Sequence, residues 1–325
     1  VTAPAVETES LSCAYGARLA LDRATLSVAR GEIFALLGPN GGGKTTLFRI
    51  LATLLRATSG TFRVDGLDPA ADVRAVRRRL GVVFQTPGLD KKLTVRENLA
   101  LQGALLGMSG AALGARIDAL LGTFSIRDRA HDLVETLSGG LARRVEIAKA
   151  LLHEPPVLLL DEPSTGLDPG ARRDLTALLR DLAAGGTGVL LTTHLFDEAD
   201  AANRIGILDR GRLVALGAPA ALKAEVGGDV VTVEAREEGG APALAREIET
   251  RFGAEAGKVA PVGNTVRVER REAHRFVPAL VEAFPGRFRS LMLGAPSLED
   301  VFIDRTGRAF READAEGPAP SGAAA

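Results

Sequence analysis

Apolar residues recur along this chain with two different periods, and the switches between them give its first outline. From about Val6 to Phe84, short β-rich runs (Leu26–Ala29, Ile33–Gly38, Thr61–Gly66, Leu80–Gln85) alternate with turns. From about Leu93 to His153 the spacing becomes helical, through ENLALQGALLG, ALGARIDALLGTF and LARRVEIAKALLHE. Strand and helix signals then alternate again in VLLLDEP, ARRDLTALLRDLA, GVLLTTH, LFDEADAANR and IGILDRGRLVALG. Continuous apolar strands between amphipathic helices predict an α/β fold, a mostly parallel sheet covered on both faces. The helical block, about residues 90–155, reads as an insertion into that core.

A Gly/Ala/Pro-containing stretch from Gly217 to Gly228 predicts a connection, giving one domain over residues 1–220 and a second over 229–310. The second reads strand (VVTVEA), helix (ALAREIETRF), two strands (KVAPV, TVRVER), helix (HRFVPALVEAF), strand (RFRSLML) and a last helix (SLEDVFIDRTG). The β-α-β-β-α-β order predicts a small α+β, ferredoxin-like domain. Residues 311–325 hold too few large apolar residues to order themselves and are expected to be disordered.

Composition changes this picture little. The chain has 325 residues, 25% charged and 46% hydrophobic, in the range of ordinary globular proteins. A formal net charge of −1 gives no general attraction to nucleic acid, and no nucleic-acid partner is expected. Arginine supplies most of the basic charge and Ala and Gly are abundant, which reads as a GC-rich, bacterial genome. The single cysteine, Cys13, has no partner for an internal disulfide, fits a reducing compartment, and reads as a buried structural thiol. No stretch approaches the roughly 18 apolar residues of a membrane helix. VTAPAVETES pairs no basic segment with an apolar one and is not expected to be a secretory signal. Any membrane role therefore comes through a partner. The basic run Arg74, Arg77, Arg78 and Arg79 reads as a solvated helix face.

Two motifs carry chemistry. Gly38-Pro39-Asn40-Gly41-Gly42-Gly43-Lys44-Thr45 fits the phosphate-binding loop, and it follows an apolar strand (IFALL) and opens a helix (TLFRILATLL), as that loop requires. Its glycines let successive backbone N–H groups turn toward one phosphate chain, and the helix N-terminus adds partial positive charge. Lys44 can reach the β- and γ-phosphates and the Thr45 hydroxyl can ligate Mg²⁺, with Thr46 next in the nucleotide-binding set. The second motif is Asp161-Glu162, closing the buried-strand pattern Val157–Leu160. A carboxylate there lies at the ligand-binding edge of a parallel sheet. Asp161 is placed to hold Mg²⁺, and Glu162 to polarise an attacking water.

The order of these motifs resembles that of the ATP-binding-cassette (ABC) ATPases, over about residues 6–220. Leu137-Ser138-Gly139-Gly140 is similar to the family's signature sequence and caps the helix after it with a hydroxyl and unhindered N–H groups. The resemblance implies that this end binds the γ-phosphate of ATP held by an opposed, head-to-tail cassette; a complete motif set makes a homodimer the simplest choice, with a different paired cassette as the alternative. Leu141 stands where the family usually has Gln, which leaves the phosphate contacts to Ser138 and the backbone. The resemblance also implies that Gln85 senses Mg²⁺ and faces the membrane partner, and that His194 contacts the γ-phosphate and orients the catalytic carboxylate. Ser164 to Asp168 would form the loop crossing the dimer interface. Tyr15, read as lying just ahead of the first strands, would stack on adenine. Gln85 to Asn98 corresponds to the groove for the permease's coupling helix, although the residues by themselves read as a loop.

The ending RFRSLMLGAPSLEDVFIDRTGRAF is similar to that of drug-resistance-type exporter ATPases, including daunorubicin-resistance subunits. It implies an ATP- and Mg²⁺-dependent exporter subunit working with a separate multi-span permease at the cytoplasmic face of the membrane. Alternatives from the residues alone are a soluble ABC ATPase acting on ribosomes or DNA, an inactive cassette, and an unrelated phosphate-loop kinase. The single cassette without coiled-coil or zinc insertions, the intact Lys44, Asp161, Glu162 and His194, and the LSGG sequence weigh against these in turn.

Overall fold

The computed structural model describes residues 3–310; the tail 311–325, expected to be disordered, lies outside the described residues. The chain divides into two compact units, residues 3–38 with 42–213, and residues 214–310 with the short stretch 39–41.

The first unit starts with a three-stranded antiparallel sheet, β1 (Val6–Tyr15), β2 (Arg18–Val28) and, after β3 (Ile33–Leu37) and α1 (Lys44–Leu51), β4 (Ser59–Val64), in the order β2-β1-β4. Tyr15 is thus the last residue of β1 rather than a residue ahead of the strands. Cys13, on the same strand, is buried as expected, its thiol pushed up chiefly by desolvation. After α2 (Val73–Arg78) and β5 (Leu80–Val83) come the helices α3 (Val95–Leu105), α4 (Gly110–Thr123) and α5 (Gly139–Ala150). The αβ alternation then resumes with β6 (Val157–Asp161), α6 (Pro169–Ala184), β7 (Gly188–Thr193), α7 (Phe196–Asp200), β8 (Arg204–Asp209) and β9 (Arg212–Gly217).

The central sheet runs β5-β6-β7-β3-β8-β9, and the pairs β5/β6, β6/β7, β7/β3 and β3/β8 are parallel. Every residue of β3, β6 and β7 is buried. That is why these strands read as unbroken apolar runs: both faces are covered, and each Leu or Val so withdrawn from water contributes about 1.5–3 kcal/mol. On one face α1 buries Leu47, Phe48, Ile50 and Leu51, and Phe48 meets Phe84 edge-on at 5.8 Å between ring centroids.

Local chemistry sets the helix starts. Thr94 and Glu97 form a reciprocal capping box at α3. Buried Asn98 donates to the carbonyls of Asp90 and Thr94 and accepts from the Asp90 N–H, so the segment before the helix is held by one side chain. The segment Gln85–Asn98 is therefore loop only up to Thr94. At α6, Asp168 accepts from the Gly170 and Ala171 N–H groups, which hold its carboxyl below the usual range. α7 stops at Asp200, shorter than the stretch LFDEADAANR suggested. Arg74, Arg78 and Arg79 are exposed, but Arg77 bonds to the hydroxyl and carbonyl of Thr53, so that helix face is not wholly solvated.

The second unit contains α8 (Pro219–Glu225), β10 (Asp229–Ala235), α9 (Ala241–Phe252), β11 (Lys258–Val262), β12 (Thr265–Arg270), α10 (Ala273–Ala283), β13 (Phe288–Gly294) and α11 (Leu298–Thr306). Its antiparallel sheet runs β11-β12-β10-β13, so the β-α-β-β-α-β chain order closes with first and third strands side by side at the centre. α9 and α10 bury Leu244, Ile248, Phe276 and Leu280 against Val231, Val233, Val266 and Val268. α11 is tied to the sheet by charge. Buried Arg267 lies 3.2 Å from both Glu269 and Asp300, and Lys258 bonds to Asp304.

Candidate functional site

Parallel strands deliver their C-terminal ends to one edge of the sheet, and here three of them arrive together. Leu37 of β3 pairs with Thr193, and Asp161 of β6 pairs with Thr192. The phosphate-binding loop leaves β3 at Gly38, whose N–H donates to the Thr193 carbonyl at 3.3 Å. A Cβ on Gly38 would stand 2.3 Å from the Leu208 carbonyl oxygen, so only glycine lets the loop start this close to β8. Gly43, at φ +109°, would place a Cβ 2.8 Å from the Ala20 carbonyl. We expect Gly38→Ala to push loop and strand apart at a cost of about 1–3 kcal/mol. A thermal melt should show the loss in Tm, accompanied by weaker nucleotide binding; an unchanged melt with unchanged binding would refute this reading of Gly38.

Lys44 opens α1 and is 4% exposed. Its ammonium donates to the Gly38 carbonyl at 2.5 Å and stands 3.8 Å from Glu162 Oε1. The Thr45 side chain is exposed beside it and that of Thr46 is half-buried.

The Glu162 carboxylate is where separate parts of the sequence meet. Its Oε2 accepts from Gln85 Nε2 at 3.1 Å and from the Thr165 hydroxyl at 3.3 Å. His194 Nδ1 lies 3.3 Å from the same oxygen, close enough for an ion pair but outside hydrogen-bond alignment. Glu162 has φ +46°, in the left-handed region, which for a residue with a Cβ costs about 1–3 kcal/mol. Its N–H compensates by donating to both the Thr192 hydroxyl (3.0 Å) and carbonyl (3.1 Å). The Thr192 hydroxyl donates in turn to Asp161 Oδ1 at 2.5 Å. Thr192 was not singled out from the sequence. The available signal was a polar pair, Thr192-Thr193, ending an apolar core strand next to a histidine.

Asp161 is 8% exposed, and burial pushes its carboxyl up despite the bond from Thr192. Asp161, whose charged form burial disfavours, the Thr45 hydroxyl and the Gln85 side-chain amide all offer hard oxygen donors of the type Mg²⁺ takes. Behind His194, burial likewise raises the Glu198 carboxyl, although the hydroxyls of Thr193 and Ser164 bond to it.

The remaining expected site residues stand apart from this cluster. Ser138 caps α5, its hydroxyl accepting from the Leu141 N–H at 3.3 Å, and Gly139 and Gly140 form the first turn. Asp168 caps α6, and Tyr15 is 48% exposed at the end of β1. Among the described residues, no hydrogen bond or ion pair joins Tyr15, Ser138 or Asp168 to the Glu162 carboxylate. Pro39, Asn40 and Gly41 form the tip of the phosphate loop, Gly41 at φ +76°.

Comparison with known proteins decides the family. Residues 21–165 match the ABC transporter family, and residues 136–196 also match an AAA domain described as a putative AbiEii toxin of a type IV TA system. A daunorubicin resistance ATP-binding protein of Streptomyces coeruleorubidus is 41% identical over 304 residues, 90% of this chain and 93% of that protein. The chain belongs to the ABC transporter ATP-binding family. A Nod factor export ATP-binding protein I of Paraburkholderia xenovorans is 43% identical over 231 residues, covering 70% of this chain and 76% of the relative. Among solved structures, an ATP-binding subunit of an ABC transporter superposes with TM-score 0.61 at 33% identity, covering 68% of this chain and 92% of its own. A dimeric bacterial ABC transporter cassette gives TM-score 0.59 at 28% identity, over 66% of this chain and 98% of that one. The ABC ATPase fold, a P-loop core with a helical insertion, agrees with the expectation from the motifs. As an ABC ATPase this chain binds and hydrolyses ATP, and none of its described helices is long and apolar enough to cross a membrane.

Proposed function

We propose that this chain is the ATP-hydrolysing subunit of an exporter of drugs, lipids or other hydrophobic compounds, driving a separate multi-span permease from the cytoplasmic face of the membrane. The observation that carries the catalytic part is the convergence of Lys44, Gln85, Thr165 and His194 on the single carboxylate of Glu162. Export is supported by the relatives, which are named for daunorubicin resistance and for Nod factor export.

In this reading the glycine-rich loop, with Gly38, Asn40, Gly41, Gly42 and Gly43, receives the phosphate chain, and Lys44 moves from its own loop carbonyl to the β- and γ-phosphates. Tyr15 stacks on the adenine. Thr45, Gln85 and Asp161 are the residues that would hold Mg²⁺, which would supply charge neutralisation on the phosphates. Glu162 orients a water molecule and accepts its proton as the water oxygen attacks the γ-phosphorus and the bond from that phosphorus to the bridging oxygen breaks, releasing ADP. His194 fixes that carboxylate and, with Lys44, stabilises the charge that develops on the transferred group. Ser138, Gly139 and Gly140 of a second, head-to-tail copy close over the γ-phosphate, with the Asp168 loops crossing between copies. Hydrolysis removes the link between the two copies, and their reopening drives the permease.

The test is to purify tagged Glu162→Gln protein from detergent-solubilised membranes of the source organism, with ATP and Mg²⁺, and to identify what accompanies it by mass spectrometry. A stoichiometric multi-span membrane protein is the expected companion. Recovery with ribosomes or DNA and no membrane protein would contradict the transport reading.

A further inference from the structure

Arg143 has no part in the scheme above, yet its buried guanidinium touches both segments that shape the catalytic carboxylate. Its side chain is 8% exposed on α5, inside the helix that Ser138 caps. Nε donates to the Pro163 carbonyl at 2.9 Å and Nη2 reaches the Glu162 carbonyl at 3.4 Å. Nη1 donates to the Phe84 carbonyl at 2.8 Å and to Glu146 Oε2 at 2.9 Å. A planar fork of five donors is the one side chain that can serve several carbonyls and a carboxylate at once in fixed directions.

The two bound segments are the turn after β6, which carries Glu162, and the loop after β5, which carries Gln85. Neighbouring side chains on the same helix extend the hold. Glu146 Oε1 accepts from the Gly88 N–H at 2.6 Å, and Lys149 donates to the Gly88 carbonyl at 2.6 Å. The Gln85 loop is thus fastened to α5 at Phe84 and again at Gly88. Glu162 is fastened on both sides of its strained backbone, through its N–H by Thr192 and through its carbonyl and that of Pro163 by Arg143. Gln85 and Glu162 then meet at 3.1 Å because one helix fixes both of their backbones.

We infer that Arg143, with Glu146 as its charge partner, is a positioning residue for hydrolysis that holds the Glu162 turn and the Gln85 loop in register from α5. This rests on the reading of Glu162 as the group that activates water. It makes α5 the mechanical link between the helix end bearing Ser138, the Gln85 loop, and the hydrolytic carboxylate of the same chain. Arg143 itself need touch neither nucleotide nor water. Without it, the left-handed turn at Glu162 is free to relax and carry the carboxylate out of line, and a displacement of about 1 Å can cost on the order of 100-fold in rate.

The test is a cycle of four proteins: the unaltered chain, Arg143→Met, Glu162→Gln, and the double variant, with Arg143→Lys as a variant that keeps the buried charge but donates from a single nitrogen. Each is assayed for steady-state phosphate release and for binding of a fluorescent ATP analogue, and melted to confirm folding. Arg143→Met should lower kcat about 10- to 100-fold with analogue affinity within a factor of about 3, and Arg143→Lys should recover part of that loss. In the Glu162→Gln background the same substitution should change kcat by less than about threefold, because the group that Arg143 positions is already gone. Full multiplication of the two losses would overturn the proposal, as would a fall in analogue affinity matching the fall in kcat. Should Arg143→Met fail to fold, Arg143→Lys carries the same cycle. Near-normal turnover of Glu162→Gln alone would instead refute the underlying assignment of Glu162, and the two failures are told apart within one experiment.

Discussion

Glu162→Gln should lower ATP turnover about 10²- to 10⁴-fold while leaving ATP binding in place, the range expected for loss of a positioned general base. The substitution changes charge and basicity with little change of shape. An amide oxygen can still accept from Gln85 and Thr165, whose donors now lie 3.1 and 3.3 Å from Glu162 Oε2, so the pocket keeps its form. What disappears is the group able to take a proton from water. Nucleotide contacts in the proposed scheme come from the glycine-rich loop and Lys44, and these are untouched. Phosphate release and analogue binding, measured on the same preparation, check the split. Near-normal release from a preparation free of contaminating ATPases would end the assignment of Glu162 as the base.

Lys44→Ala should act on the other side of that split, by weakening binding itself. The Lys44 ammonium is almost fully buried, and its surroundings include the Gly38 carbonyl and the Glu162 carboxylate. A hydrogen bond to a charged group contributes about 1.5–3 kcal/mol, which corresponds to roughly a 10- to 150-fold rise in the Kd for ATP. Calorimetric titration with ATP measures this directly. Unaltered affinity would contradict the placement of Lys44 on the phosphates. Because the Lys44 ammonium also stands 3.8 Å from Glu162 Oε1, turnover at saturating ATP should fall as well.

Much of this is legible in the amino-acid sequence, for identifiable reasons. Ile33–Leu37, Val157–Leu160 and Gly188–Thr193 are buried on both faces, so their sequences carry a continuous apolar signal that surface chemistry does not interrupt. The phosphate loop is legible because close backbone approach at Gly38 and positive φ at Gly43 exclude most other residues. Ser138 announces a helix start through a side-chain cap that needs no tertiary information.

What could not be read has the opposite character. Thr192 matters because β6 and β7 are in a register that sets it against Asp161, and a threonine at a strand end gives no sign of its cross-strand neighbour. Arg143 and Glu146 sit three residues apart on a helix and look like a surface ion pair; only the packing of α5 beside the segments that follow β5 and β6 makes them interior. The left-handed backbone at Glu162 runs against the preference of its residue type, and Thr192 and Arg143 supply the compensating bonds from far along the chain. Tyr15 was misplaced relative to β1 because that strand's first half, Val6–Ser10, is rich in polar residues and reads poorly as a strand. α7 came out shorter than its acidic, alanine-rich sequence suggests, ending at Asp200 before β8 begins at Arg204.

In the proposed function the site is completed by a second copy of the chain, and the most direct measurement is the mass in solution of Glu162→Gln protein with ATP and Mg²⁺, by light scattering on a sizing column. We expect twice the chain's mass of 33.9 kDa with ATP and a single chain with ADP, since in the proposed dimer only the γ-phosphate would bridge Lys44 of one copy and Ser138 of the other. The same mass in both nucleotides, with ATP shown to be bound, would contradict it.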